Sequence, residues 1–178
     1  NNSFFEKWSA QMAYVLGYIY ADGNIHYSEK NRGWYLTIAS IDRDIIEKIK
    51  TTLQSNHTIS VVLPKEGDTR KKKYLLRIGS KHLYAQLQKR GVHPNKSLTL
   101  EVPTIPTSMV AHFVRGYFDG DGCVHLEKQA GRSSVRLRTI LTSGSKQFLL
   151  TLEQLLRKTI TIKKSTVHTS HRSFQLLY

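Results

Sequence analysis

Two aspartates, Asp22 and Asp121, each followed by a glycine, close two stretches of the chain that are versions of one another. Tyr14 to His26 reads YVLGYIYADGNIH and Phe113 to His125 reads FVRGYFDGDGCVH; Gly17 and Gly116, Asp22 and Asp121, and His26 and His125 all keep one offset of 99 residues. Each acid follows an apolar, helix-like run, so it stands where the helix dipole is negative, an unfavourable place for a carboxylate. If the two helices meet, each acid also faces a like charge. A divalent cation offsets both costs. Carboxylates of Asp22 and Asp121 with backbone carbonyls of Ala21 and Gly120 make a hard oxygen set suited to Mg²⁺ (or Mn²⁺), water and phosphate completing the shell. In a basic protein, converging carboxylates of this kind serve phosphodiester hydrolysis. One Asp-Gly pair alone would read as a helix-ending turn; its recurrence at a matched position argues for a site. A calcium loop of the EF-hand type is excluded, because counting from Asp119 puts Val124 where a glycine is required and Ala130 where a glutamate is required.

The elements that must hold the acids follow from the same repeat. Residues four apart share a helix face, so Gly17 aligns with Ala21 and Gly116 with Gly120. Two such small-residue faces can pack backbone to backbone. Gly23 and Gly122 are then expected as left-handed caps.

Around these runs the periodicity predicts an order that occurs twice. A helix over Ser9–Ala21 precedes a strand over Asn24–Glu29 and an alternating strand over Trp34–Ser40. Asp42 caps a helix with the stripe Ile45, Ile46, Ile49 and Leu53; strands near Thr58–Leu63 and Lys73–Gly79 follow, and Ser80 caps a helix that stops at Gly91. In the second half Ser108 opens a helix ending at Gly122, strands lie near Cys123–Lys128 and Ser134–Thr142, and Ser145 caps a helix carrying Phe148, Leu149, Leu152, Leu155 and Leu156. Strands near Ile160–Val167 and Arg172–Tyr178 complete the count. The expected fold is α+β: two pseudo-twofold αββαββ(α) units, each with an antiparallel sheet, joined along the two repeated helices. Residues 1–96 form the first half, 97–107 an extended linker with Pro103 and Pro106, and 108–178 the second half, which lacks the final helix of the first.

Bulk composition narrows the partners. Lys and Arg number 27 against 13 Asp and Glu, a formal net charge of +14 over 178 residues, and such a field draws nucleic acid. No apolar run approaches the roughly 20 residues that cross a bilayer, no signal-peptide pattern opens the chain, and the single Cys123 excludes an internal disulfide or a cysteine zinc cluster. A soluble protein of a reducing, intracellular compartment, in the cytoplasm or an organelle matrix, is expected. Arg136 and Arg138 are two apart on one strand and share a face, as do Lys73 and Arg77, beside the loop residues Arg70, Lys71 and Lys72. Two basic sheet faces form a saddle for the major groove of double-stranded DNA, with arginines reading guanine edges and loop lysines on phosphate. Lys163, Lys164 and Arg172 are weaker candidates for the same surface. The eight histidines show no zinc spacing, and His168 with His171 lacks a second pair.

VLGYIYADG (Val15–Gly23) and VRGYFDGDG (Val114–Gly122) resemble the motif that defines the LAGLIDADG homing endonucleases, and the repeated element order resembles the single-chain, two-motif branch of that family. The second motif keeps Asp119 as well as Asp121, whereas Tyr20 stands in the first where the earlier acid often sits. The resemblance implies a monomer that cuts a long, nearly palindromic site with divalent metal, in the manner of intron homing. In the family the last acid of each motif coordinates metal, which falls here on Asp22 and Asp121. A lysine at the end of the first half lies near the cleavage site, and Lys96 in HPNKS is the matching residue; an ammonium there can orient or deprotonate water or offset phosphate charge. Its second-half counterpart would fall past Tyr178. A polar residue near the end of the strand before the second helix is also a family feature, matched by Ala39 or Ser40 and by Thr142 or Ser143. The alternative reading is a non-cleaving module on the same fold, a regulator or a maturase-like protein with an RNA partner.

Overall fold

Four helices begin alike: a side-chain oxygen turns onto a backbone N–H that the first turn leaves without a partner. Ser9 accepts from Met12 at 3.1 Å, Asp42 from Asp44 at 2.9 Å, Ser80 from Leu83 at 3.2 Å and Ser145 from Phe148 at 3.2 Å. These caps open α1 (Ala10–Asp22), α2 (Arg43–Thr52), α3 (Lys81–Lys89) and, later in the chain, the helix Lys146–Thr159. The computed structural model describes residues 1–128, 135–162 and 165–178.

Strands fill the intervals. In the first half β1 (Gly23–Ser28), β2 (Gly33–Ser40), β3 (Ile59–Val62) and β4 (Lys73–Gly79) form an antiparallel sheet in the order β1-β2-β4-β3. In the second half α4 (Val110–Asp121) leads into β5 (Gly122–Lys128) and β6 (Val135–Ser143), then α5 (Lys146–Thr159), β7 (Val167–Ser170) and β8 (Ser173–Leu177), with the matching order β5-β6-β8-β7. Even the register repeats: Gly23 pairs with Ile38 and Gly122 with Leu141. Two αββαββ units with four-stranded antiparallel sheets are therefore present, as expected.

The two repeated helices are where the halves meet. A Cβ on Gly17 would overlap the carbonyl of Phe113, and a Cβ on Gly116 would overlap the carbonyl of Tyr14. The repeat maps one contact onto the other, so the helices cross through two reciprocal glycine-to-backbone approaches. Further along, a Cβ on Gly120 would come within 2.5 Å of Ala21 Cβ. Around this crossing α1 is buried without a break from Met12 to Tyr20, as expected of a helix apolar on all sides. One apolar cluster runs from Phe5 through both motif helices to Phe148 and Leu176. No helix among the described residues is long and apolar enough to cross a membrane.

Three expectations are corrected. Gly23 and Gly122 are extended (φ −86°, ψ 150°; φ −90°, ψ 154°), not left-handed. Their glycines serve space: the chain turns from helix straight into strand, and a Cβ on Gly23 would stand 2.7 Å from Ile19 Cα. Ser108 caps nothing; it lies in a short 3-10 turn (Thr107–Met109), and α4 starts at Val110 with no side-chain cap. The strand expected from Ile160 starts instead at Val167, because Ile160 closes α5 and the following residues to Ile162 are irregular. Lys163 and Lys164, and Ser134 at the expected start of β6, lie outside the described residues.

Candidate active site

The helix crossing delivers Asp22 and Asp121 to one end of the seam, each as the last residue of its helix. Both carboxyls are driven toward the neutral form. Burial raises Asp121 to about 6, with the Asp22 charge adding to the rise and Lys96 opposing it. Burial also raises Asp22, against Lys96, a hydrogen bond from Tyr18, and Lys73. The two acids therefore feel one another electrostatically, as the sequence argument required. Gly120 keeps the seam open beside them, since a Cβ there would reach within 3.5 Å of Asp22 Oδ2.

Lys96 lies against the same pair. It begins a short 3-10 turn (Lys96–Leu98) after Asn95, which adopts the left-handed conformation (φ 57°). The side chain is 5% exposed, and Nζ donates to the Gly23 carbonyl at 2.7 Å. Burial lowers its pKa to about 8, with Asp121 and Asp22 both pulling upward. It is an ammonium anchored on the residue after Asp22, close to losing its proton.

A shell of hydroxyls supports the acids. Tyr18 favours the charged form of Asp22, four residues on in the same helix, and burial raises its own pKa to about 12, so it stays protonated. In the second half Tyr117 donates to the Thr142 carbonyl at 2.6 Å. Ser40 and Ser143 also accept from the backbone N–H two residues on, at 3.1 Å each, which ties the end of each second strand to the next helix. Of the polar candidates at those strand ends, Ser40 and Ser143 share the inward strand face with buried Ile38 and Leu141. Tyr18 and Tyr117 were not singled out from the sequence, although the repeated Gly-Tyr pair of both motifs was the available signal.

Other candidates are placed apart. Asp119 accepts from Tyr14 at 2.7 Å, and the Tyr14 ring lies under Lys48 Nζ (4.3 Å) and Arg115 Cζ (4.8 Å), a lock across the helix seam. Tyr20, its counterpart, donates to the Arg90 carbonyl at 2.7 Å. Lys73 acts on Asp22 electrostatically, so it belongs with the site as much as with the sheet. The described residues hold no cluster of three His, Cys, Asp or Glu. A cation at the seam would rest on the Asp22 and Asp121 carboxylates and on the backbone carbonyls of Ala21 and Gly120, which the helix ends leave without intrahelical partners. Two acids, carbonyl oxygens and room kept by a glycine fit a small hard cation that keeps several waters.

The outward sheet faces carry the expected cations. Leu76 and Ile78 are buried, so Lys73, Leu75 and Arg77 alternate onto the other face of β4, Arg77 opposite Thr37. Arg77 Cζ lies 5.9 Å from the ring centre of Tyr35. On β6, Arg136 and Arg138 share the face opposite Leu141 and pair with Glu127 and His125 of β5. Two of the arginines are already engaged: Arg138 Nε lies 2.7 Å from Glu127, and Arg70 contacts Asp68 at 2.6 Å in an exposed loop with Lys71 and Lys72. His26 stacks on Tyr35, and its Nδ1, like the Thr37 hydroxyl, is buried on that face without a partner.

A family model described as a LAGLIDADG-like domain matches residues 9–91 and 108–177. An uncharacterized protein of Methanocaldococcus jannaschii is 31% identical over 125 residues, covering 68% of this chain and 42% of that protein. A probable translation initiation factor IF-2 of the same organism is 29% identical over 184 residues, covering 96% of this chain and 14% of that protein. The chain thus spans less than half the length of these curated relatives. Among solved structures, the homing endonuclease I-DmoI in complex with DNA and Mn has a TM-score of 0.58 at 19% identity, over 99% of this chain and 90% of that one. The homing endonuclease I-WcaI bound to its DNA recognition sequence has a TM-score of 0.63 at 14% identity, over 98% and 79%.

Proposed function

The chain belongs to the LAGLIDADG-like domain family, and on that premise we propose that it is a site-specific endonuclease that hydrolyses phosphodiester bonds of double-stranded DNA. The observation that carries the reading is the convergence of Asp22, Asp121 and Lys96: two acids at the seam whose pKa values desolvation raises, with a buried lysine lowered to about 8 beside them.

Asp22 and Asp121, with the Ala21 and Gly120 carbonyls, would hold Mg²⁺ or Mn²⁺, which when bound would supply acidification of water and neutralisation of charge at the leaving 3′ oxygen. Tyr18 helps keep Asp22 ionised against the burial that raises it. Lys96 takes up or returns a proton at the attacking water, a role that suits a group poised near working pH. Lys73, close enough to act on Asp22, contacts the phosphate on the first-half side. Arg77, Arg136 and Arg138 face base edges in the major groove, while Arg70, Lys71 and Lys72 bind backbone phosphate, which sets affinity without reading sequence. One chain supplies both acids, so the active unit is a monomer with one cleft and a long, nearly palindromic target.

The test is selection of cut sites from a randomised duplex library in Mg²⁺, with Asp22→Asn and Asp121→Asn alongside. Double-strand cuts at one selected site, lost in both variants, establish the activity. Selective, salt-sensitive binding without metal-dependent cuts in the parent chain overturns it and leaves a non-cleaving DNA or RNA binder.

A further inference from the structure

We propose that His26 and His125 give the target its palindromic step: each donates one imidazole N–H to a purine N7 in the major groove, at positions related by the pseudo-twofold axis between the halves. The proposal deepens the endonuclease reading and rests on its DNA-facing sheets. Among the residues common to both motif stretches, Gly17 and Gly116 set the helix crossing, Gly23 and Gly122 the turn into strand, and Asp22 and Asp121 the site. The two histidines do none of these. Each lies three residues beyond its turn glycine, about 10 Å away along an extended strand. Ile25 is buried on the inward face, so His26 alternates outward, and His125 lies opposite Arg138 on the matching face.

Around the histidines the two outward faces are rewritten. Gly23 opposite Ile38 and Gly122 opposite Leu141 set one register, in which Tyr35 gives way to Arg138 and Thr37 to Ile140. Ile38 opposite Leu76 and Leu141 opposite Leu176 set the next, in which Arg77 gives way to Leu177. Packing does not account for the repeated histidine, because its neighbours differ. His26 stacks on Tyr35 with ring centres 5.6 Å apart, whereas His125 stands exposed opposite Arg138, whose Nε is held by Glu127 at 2.7 Å. A side chain kept while its partners change serves something that both half-sites present alike. The His26 ring is half-buried, and its Nδ1 is buried with no hydrogen-bond partner. No acceptor waits there, so the proton of the neutral ring sits on Nε2, which becomes the donor. N7 is the acceptor that adenine and guanine share in the major groove, where cytosine presents a donor and thymine a methyl beside its O4, so one N–H aimed there selects purine. A neutral donor gains less from phosphate, for which the charged Lys71 and Lys72 are at hand. Thr37, whose hydroxyl is also buried without a partner, and Arg77 have apolar counterparts in the second half, so they read positions at which the half-sites differ.

The test is selection of duplexes by binding, in EDTA and at one salt concentration, from a randomised library, for the parent chain, His26→Ala, His125→Ala and Arg77→Ala. The parent profile should show purines at two positions equidistant from the centre, on opposite strands. His26→Ala should erase the preference at one and His125→Ala at the other, each weakening binding to the parent site about tenfold and leaving the remaining positions alone. His26→Phe, which keeps a ring on Tyr35 but carries no donor, should match His26→Ala. Arg77→Ala should relax a position whose mirror carries no matching base. Parent sites without mirrored purines, an unchanged profile in either histidine variant, or an equal loss of affinity on every duplex overturn the proposal, the last because it marks phosphate contacts. Cutting of the selected sites in Mg²⁺ is scored apart. Sites bound but never cut sink the endonuclease reading and leave the histidines in place, whereas absence of any selective binding sinks both.

Discussion

At the residue scale the site works against its own stability. Asp121 is raised to about 6 from an ordinary value of 3.8, so the folded chain binds more protons than the unfolded one between those limits, and stability falls as pH rises through that window. Lys96 is lowered to about 8 from 10.5, so its strain is full below 8 and relieved as pH rises from 8 to 10.5. Both costs are greatest between about pH 6 and 8. Asp121→Asn should therefore stabilise the metal-free protein by about 2 kcal/mol at pH 7 and by nothing measurable near pH 4, in denaturant titrations at the two pH values. Mg²⁺ should raise the thermal midpoint of the parent chain and leave that variant unmoved. Lys96→Met should lower the single-turnover cleavage rate by about 10² to 10⁴ with little change in DNA affinity, and should abolish a rise in rate that levels off near pH 8 in the parent chain.

At the element scale the decisive parts are the two crossing helices. Gly17→Ala and Gly116→Ala each thrust a methyl into a carbonyl of the opposite backbone, so the helices must separate. Each should lower the unfolding free energy by about 3 kcal/mol or more and cut activity even where the fold survives, read by urea titration and cleavage of the same preparations. This crossing was legible in the sequence because small residues recur four apart, and so were the capped helices and the alternating strands. What was not legible depended on distance. Gly23 and Gly122 were expected to be left-handed, but the absent Cβ serves the tight helix-to-strand turn, which no local pattern distinguishes from a cap. Tyr18 acts on Asp22, four residues on in the same helix, and on Ser40 of β2, and Asp119 turned away to Tyr14 of the other helix. The pairs that cross between elements, Tyr18 with Ser40 and Asp119 with Tyr14, do not follow from spacing within one segment. The late start of β7 reflects α5 running its full length to Thr159, an apolar stripe long enough to outlast the strand signal at Ile160.

At the scale of the whole molecule the net charge of +14 would set how the proposed endonuclease meets DNA. Affinity should fall steeply with salt, with a log–log slope that flattens by about one for each phosphate-binding lysine removed, as in Lys71→Ala and Lys72→Ala. Arg77→Ala should instead relax sequence preference at one position and cost about 1 to 3 kcal/mol, seen as a changed base profile in the selected sites. Glu127→Gln releases Arg138 from its partner at 2.7 Å and should tighten binding to all duplexes alike.

The reciprocal contact at the seam, Gly17 on the Phe113 carbonyl and Gly116 on the Tyr14 carbonyl, works as a gauge block cut from main chain alone. The gap between the two acids is set there, by main-chain parts that only a side chain added at the glycines themselves would push apart. The outer faces of the sheets, by contrast, are dressed entirely in replaceable side chains. What the protein recognises can therefore drift from one lineage to another, residue by residue, while the spacing between the two acids stays the same.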